Sequence, residues 1–404
     1  MKGKIFIAII IILFTSCEKG GNEDNTILKF YSEAYEDTGN SIALGEDGYY
    51  LCGQLVDSLT GINPIKKVGV LKAGFDGNLI GEMKTFGNTE GSAAKIIVLD
   101  DGTIACTGYV LDNTLQKDII VLHLNPDLSE IAPPRVYQSP GNQYGVDILE
   151  IPEGFLLLAT TDVKREPSDL YTGNAAGKKD ILLMRIGHDL EPLIPIPAVG
   201  FIGNDEGVAI KADLEGGYTV VGTTDRSEAA GQSGNNIIIV RLNSLGSTTQ
   251  PRIIGGIKNE TACDFEVLSD GFLITGNIGT TGMDQQGYIW KMPTNISEEP
   301  EFEHKIDIEP SLTVKTPYTL KAICRYKTNS FLLAGQYSTG LSARLLIFSV
   351  DASGIPVENR KKITGGTGTQ VANDVVTDGS DNIITIGNNS YENNSMICFL
   401  KFRF

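Results

Sequence analysis

Apolar positions in this chain come in short runs set between turn residues, and the runs repeat. A turn, four or five apolar residues and a small residue occur together as Asp-Gly-Tyr-Tyr-Leu-Cys-Gly ending at Gly53. Further copies end at Thr107, Ala159, Gly222, Gly276, Gly335 and Gly387. Ahead of each copy lies a strand-like run such as Gly207-Val-Ala-Ile-Lys-Ala212. After it comes an alternating run such as Asp118-Ile-Ile-Val-Leu-His-Leu124 or Asn236-Ile-Ile-Ile-Val-Arg-Leu242. Alternation at period two, rich in β-branched residues, specifies strands rather than helices. A weaker fourth run ends near a Gly-Asn or Gly-Gly pair, as at Gly87, Gly141, Gly203, Gly255 and Gly365. The copies stand 52 to 63 residues apart, too irregular for a solenoid of fixed pitch and suited to blades with variable loops. The pattern predicts an all-β chain: a seven-bladed β-propeller of four-stranded antiparallel blades.

The two ends complement each other. The last repeat reaches only its third strand, residues 395–404, while residues 26–36 precede the first repeat without one of their own. The N-terminal strand is therefore expected to complete the last blade and close the ring, removing two exposed edges. Its inward face is left open, since Ile27, Lys29 and Tyr31 compete with Leu28, Phe30 and Ser32. The repeats, best in Glu215-Gly-Gly-Tyr218 and Gly222-Thr-Thr224, resemble the Asp/Gly-rich propeller repeats of Bacteroidota lipoproteins. The resemblance spans residues 26–404; it implies the fold and says little about function. WD dipeptides, kelch motifs and Asp-boxes are absent.

The first residues read as an address. Lys2 and Lys4 precede an unbroken apolar run from Ile5 to Phe14, followed by Thr15, Ser16 and Cys17. This is a signal-peptide layout, too short for a spanning helix. Phe14-Thr15-Ser16-Cys17 resembles the bacterial lipobox, with Phe14 where Leu is usual. The resemblance implies cleavage of residues 1–16 and lipidation of Cys17, with residues 17–25 as a flexible tether. Glu23 and Asp24 resemble the export signal of surface lipoproteins. The expected location is the outer membrane, lipid-anchored at the cell surface, with the periplasmic face as the other option.

Composition narrows the function classes. With 33 Lys+Arg against 50 Asp+Glu the net charge is −17, which excludes a nucleic-acid surface. Cys52, Cys106, Cys263, Cys324 and Cys398 lie singly in apolar runs and read as buried free thiols. His123, His188 and His304 are isolated, so neither a zinc cluster nor a Ser/His/Asp set is expected. Acids at the starts of the inner strands (Asp37, Glu90, Asp205, Glu206, Glu260, Asp374) offer a weak Ca²⁺ option and otherwise read as turn and solubility residues. No other cofactor is expected. Trp290 reads as packed between blades.

The two longest loops, after Thr160 and Thr223, form the candidate contact patch, with Asp162, Lys164, Arg165, Tyr171, Asp225 and Arg226. Asp57-Ser58-Leu59 resembles the O-glycosylation site of exported Bacteroidota proteins, at Ser58. The leading functional expectation is a non-catalytic scaffold docking an outer-membrane protein partner, as in a SusC/SusD-like importer. The alternative is a propeller that binds or acts on glycans.

Overall fold

The computed structural model describes residues 26–32, 36–57, 65–162, 178–195, 199–201, 203–226, 234–256, 259–279, 284–392 and 394–404. Among them every regular element is a strand. Five separate four-stranded antiparallel sheets follow one another along the chain, and the remaining strands form one eight-stranded sheet. That larger sheet divides into two four-stranded halves that meet through a single pair, Ala343 with Thr369. This is the sheet organisation of a β-propeller.

We number the four-stranded units one to seven. Their first strands are Thr38–Leu44, Gly91–Val98, Gln143–Ile151, Asp205–Ala212, Glu260–Leu268, Tyr318–Lys327 and Thr369–Thr377. Unit two shows the plan: Gly91–Val98 pairs with Ile104–Leu111, that with Lys117–Leu124, and that with Glu130–Tyr137. In unit seven the fourth strand is Ile27–Tyr31, which pairs antiparallel with Asn394–Phe402, Ile27 opposite Lys401 and Tyr31 opposite Ile397. Tyr31 is buried whereas Leu28 and Phe30 are exposed, so the face left open by the sequence is the one bearing Ile27, Lys29 and Tyr31.

The apolar cores lie between units rather than within them. Trp290 is fully buried in a cluster that joins Ile237 and Ile239 of unit four to Phe265 and Phe272 of unit five. A similar cluster joins Ile384, Ile386 and Phe399 of unit seven to Ile42 and Leu51 of unit one. A sheet that is apolar on both faces must be covered on both, and stacked neighbours provide that cover. The first strands stand side by side in chain order, and that of unit seven lies against that of unit one.

Each first strand carries a register shift at the same place, from Gly39/Ser41 in unit one to Ala372/Asp374 in unit seven. Opposite the bulge the second strand comes so close that a side chain is excluded. A Cβ on Gly387 would sit 1.7 Å from the Val371 carbonyl oxygen, and one on Gly108 would sit 2.0 Å from that of Ser92. The small residue ending each repeat marks this approach. In unit two it is Gly108, one residue beyond the Thr107 expected from spacing. Unit three departs from the rule with Ala159, opposite Gly145.

Candidate functional site

The bulges bring seven equivalent residues to one level of the first strands: Ser41, Lys95, Asp147, Ala209, Asp264, Ala322 and Asp374. Three are carboxylates, and each is seated alike. Asp147 accepts the Ile148 N–H at 2.8 Å and, from the next unit, the Ile210 N–H at 2.9 Å. Asp264 accepts Phe265 N–H at 2.8 Å and Ile323 N–H of unit six at 3.2 Å. Asp374 accepts Val375 N–H at 2.9 Å and Ile42 N–H of unit one at 3.2 Å, and takes the Ser41 hydroxyl at 2.7 Å. A backbone N–H freed by a bulge needs an acceptor, and a carboxylate from the neighbouring unit supplies it.

Two ammonium groups share this level. Lys95 Nζ lies 3.1 Å from Asp374 Oδ2. Lys211 Nζ lies 2.7 Å from Glu266 and 3.8 Å from Asp264. The Lys95 side chain keeps 32% of its accessible surface, although inner strands stand on both sides of it. Burial raises the Asp147 carboxyl from 3.8 to about 6, with the Lys95 charge and the two backbone N–H groups acting the other way. Burial alone would lower the Lys95 pKa, but Asp374, Asp147 and Asp264 outweigh it and the pKa is raised. Lys211 is held charged in the same manner by Asp264 and Glu266. The bulge level thus holds a carboxyl that burial raises to about 6, Asp147, and another, Asp374, that faces an ammonium group at 3.1 Å.

Asp374 was among the acids singled out in the sequence; Lys95, Asp147, Lys211, Asp264 and Glu266 were not. The available signal was position: each bulge residue stands twelve or thirteen residues before the small residue of its repeat. Of the expected contact patch, Asp162 and Asp225 open the two long loops as clasps. Asp162 accepts the N–H and the amide of Asn142 at 2.6 and 2.7 Å, and Asp225 binds Asn204 likewise at 2.9 and 2.7 Å. Arg226 lies over the Phe201 ring, 4.3 Å from its centroid. Lys164, Arg165 and Tyr171, with Cys17 and Ser58, lie outside the described residues.

Among the described residues the five cysteines are free. The same residues hold no group of three or more His, Cys, Asp or Glu suited to a metal, and no helix long and apolar enough to cross a membrane. A cleft of about 1040 Å³ lies elsewhere, between units one and two, lined by Asn88, Gln116, Asp118 and Gln138. Its lysine, Lys67, is already paired with Asp57 at 2.8 Å. Asp112, Asp118 and Glu130 also line the cleft, burial raising the Asp118 pKa while hydrogen bonds from Gln116 and Thr114 lower that of Asp112.

No protein-family model matches the chain, and no curated protein matches it. Among solved structures it is similar to a protein of unknown function from Dyadobacter fermentans, at 13% identity over 94% of this chain and 100% of that one, TM-score 0.49. It is also similar to an α-L-arabinofuranosidase of Fusarium graminearum (11% identity, 94% and 97% covered, TM-score 0.47). The levansucrase of Bacillus subtilis is more distant (9% identity, 70% and 89% covered, TM-score 0.38).

Two of the three are named for an enzyme activity. Against the expectation of a non-catalytic scaffold in an importer that is no enzyme, the named activities among these structures are enzymatic and that expectation is withdrawn, while likeness at this identity shows the fold alone. The physical reason lies in the site. Histidines and sequence spacing reveal no catalytic set, whereas Lys95 and Asp374 come together from strands more than 200 residues apart.

Proposed function

We propose that this chain binds and hydrolyses glycans at the level of the first-strand bulges. In this reading the seven units are the blades of a propeller closed by Ile27–Tyr31, and the first strands surround a channel that the ionisable cluster lines. Closure is supported by the core shared between units seven and one and by the contact of their first strands. The observation that carries the function is that the bulge level holds both Asp147, whose pKa burial raises to about 6, and Asp374, which faces Lys95 at 3.1 Å.

Glycoside hydrolysis needs one carboxyl to protonate the leaving oxygen and one carboxylate to act as nucleophile or to activate water. Asp147 takes the first role. Asp374 takes the second, with Lys95 and the backbone donors fixing its orientation. Incubating the purified mature protein with arabinan, fructan, xylan and host-type glycans should release reducing sugar from one of them. Asp147→Asn and Asp374→Asn should each lower that release at least about 100-fold while the circular dichroism spectrum is kept. A folded protein that neither releases sugar nor binds on a glycan array overturns the reading.

We also propose anchoring through Cys17, supported by the signal-peptide layout of residues 1–17. Cys17→Ala should move the protein from the outer-membrane fraction to the soluble one. A variant still membrane-bound after a high-salt wash excludes lipidation as the anchor.

A further inference from the structure

We propose that the channel end beside units two to four is a subsite for an anionic sugar, one that carries a uronate carboxylate or a sulfate ester. The inference rests on the glycan reading and names its substrate class. Its centre is Lys117, which opens the third strand of unit two and whose N–H is held by Asn142 Oδ1 at 3.1 Å. The ammonium group lies between two rings, 4.1 Å from the centroid of Tyr109 and 5.2 Å from that of Tyr144. Among the described residues it makes no ion pair, in a chain with 50 acids to 33 Lys+Arg. Such a group, half-buried and flanked by aromatic faces, is seldom left without a carboxylate.

A second ammonium group, Lys179, stands close enough to repel the first. Burial and Lys179 together lower the Lys117 pKa. Lys179 is itself held by Glu206 of unit four at 2.6 Å. Burial and Glu206, to which it hydrogen-bonds, raise the Tyr144 pKa, so its phenol stays neutral. The arrangement therefore offers aromatic surface beside one cation that has no carboxylate, which together fit a sugar bearing a negative charge. Tyr144 precedes Asp147 by three residues on the same strand, about 10 Å along it, so one oligosaccharide spans both.

The test measures binding to the mature protein by calorimetry, with oligogalacturonate, its methyl ester, and a sulfated galactan oligosaccharide with its desulfated form. At least tenfold tighter binding of the anionic member of either pair is expected, and which pair responds tells carboxylate from sulfate. Lys117→Met should abolish that preference, whereas Lys117→Arg should keep it. Equal affinity for charged and neutral members, or a preference that survives Lys117→Met, overturns the subsite and leaves the glycan reading standing. Failure to bind any glycan overturns both.

Discussion

Asp147 shows how one side chain ties two units together while burial shifts its titration. Its two oxygens join Ile148 to Ile210, and burial raises its pKa from 3.8 to about 6. A group whose folded pKa is raised contributes stability that is fully present below the unfolded pKa. That stability is lost as pH rises through the folded pKa. The wild type should therefore lose on the order of 3 kcal/mol relative to Asp147→Asn between about pH 4 and pH 7. Urea unfolding of both proteins across that range measures it, and parallel curves would remove Asp147 as a titrating group. Under the proposed hydrolysis the same protonation is expected to set the rate profile, with the rate falling on the alkaline side of about pH 6. Gly387 gives a purely steric counterpart. Val371 O lies 1.7 Å from where its Cβ would be, so Gly387→Ala should cost about 1–3 kcal/mol in chemical denaturation.

Among the elements, Ile27–Tyr31 is the short strand with the largest consequence. It pairs with the last strand of the chain, and its Tyr31 hydroxyl donates to Gly77 O of unit one at 2.7 Å. Lys29 Nζ reaches Asn78 Oδ1 of the same turn at 3.0 Å. Tyr31→Ala should destabilise the protein by about 3–5 kcal/mol. Deleting residues 26–36 should lower the melting temperature of the whole molecule in a single transition, because each unit is covered only by its neighbours. An unchanged transition would make the segment a tether. The strands were legible in advance because period-two alternation directly records which face is buried. Register was not: in Ile27-Leu28-Lys29-Phe30-Tyr31 both faces carry apolar residues, and only the partners decide. The site was least legible, since Lys95, Asp147 and Asp374 meet through bulges and neighbouring strands that no local pattern encodes.

At the scale of the molecule, the bulge residues treat the seams between units unequally. Asp147, Asp264 and Asp374 fasten unit three to four, five to six and seven to one, and Ser41 Oγ reaches Ile96 N–H of unit two at 3.5 Å. Units two, four and six place Lys95, Ala209 and Ala322 there, side chains that accept no hydrogen bond. The junction of unit seven with unit one receives still more. Asn388 Oδ1 accepts Gly39 N–H at 2.7 Å, and Asn373 donates to Gly39 O at 2.8 Å. The join between the two ends of the sequence is thus among the most heavily riveted. At the bulge level the lines left without such a rivet run after units two, four and six, although other bonds cross them, as from Lys211 of unit four to Glu266 of unit five at 2.7 Å and from Tyr137 of unit two to Leu190 O of unit three at 2.6 Å. Amides bordering those lines should exchange with solvent sooner than those at the riveted seams. A chain severed between units two and three should reassemble from its halves more readily than one severed between three and four.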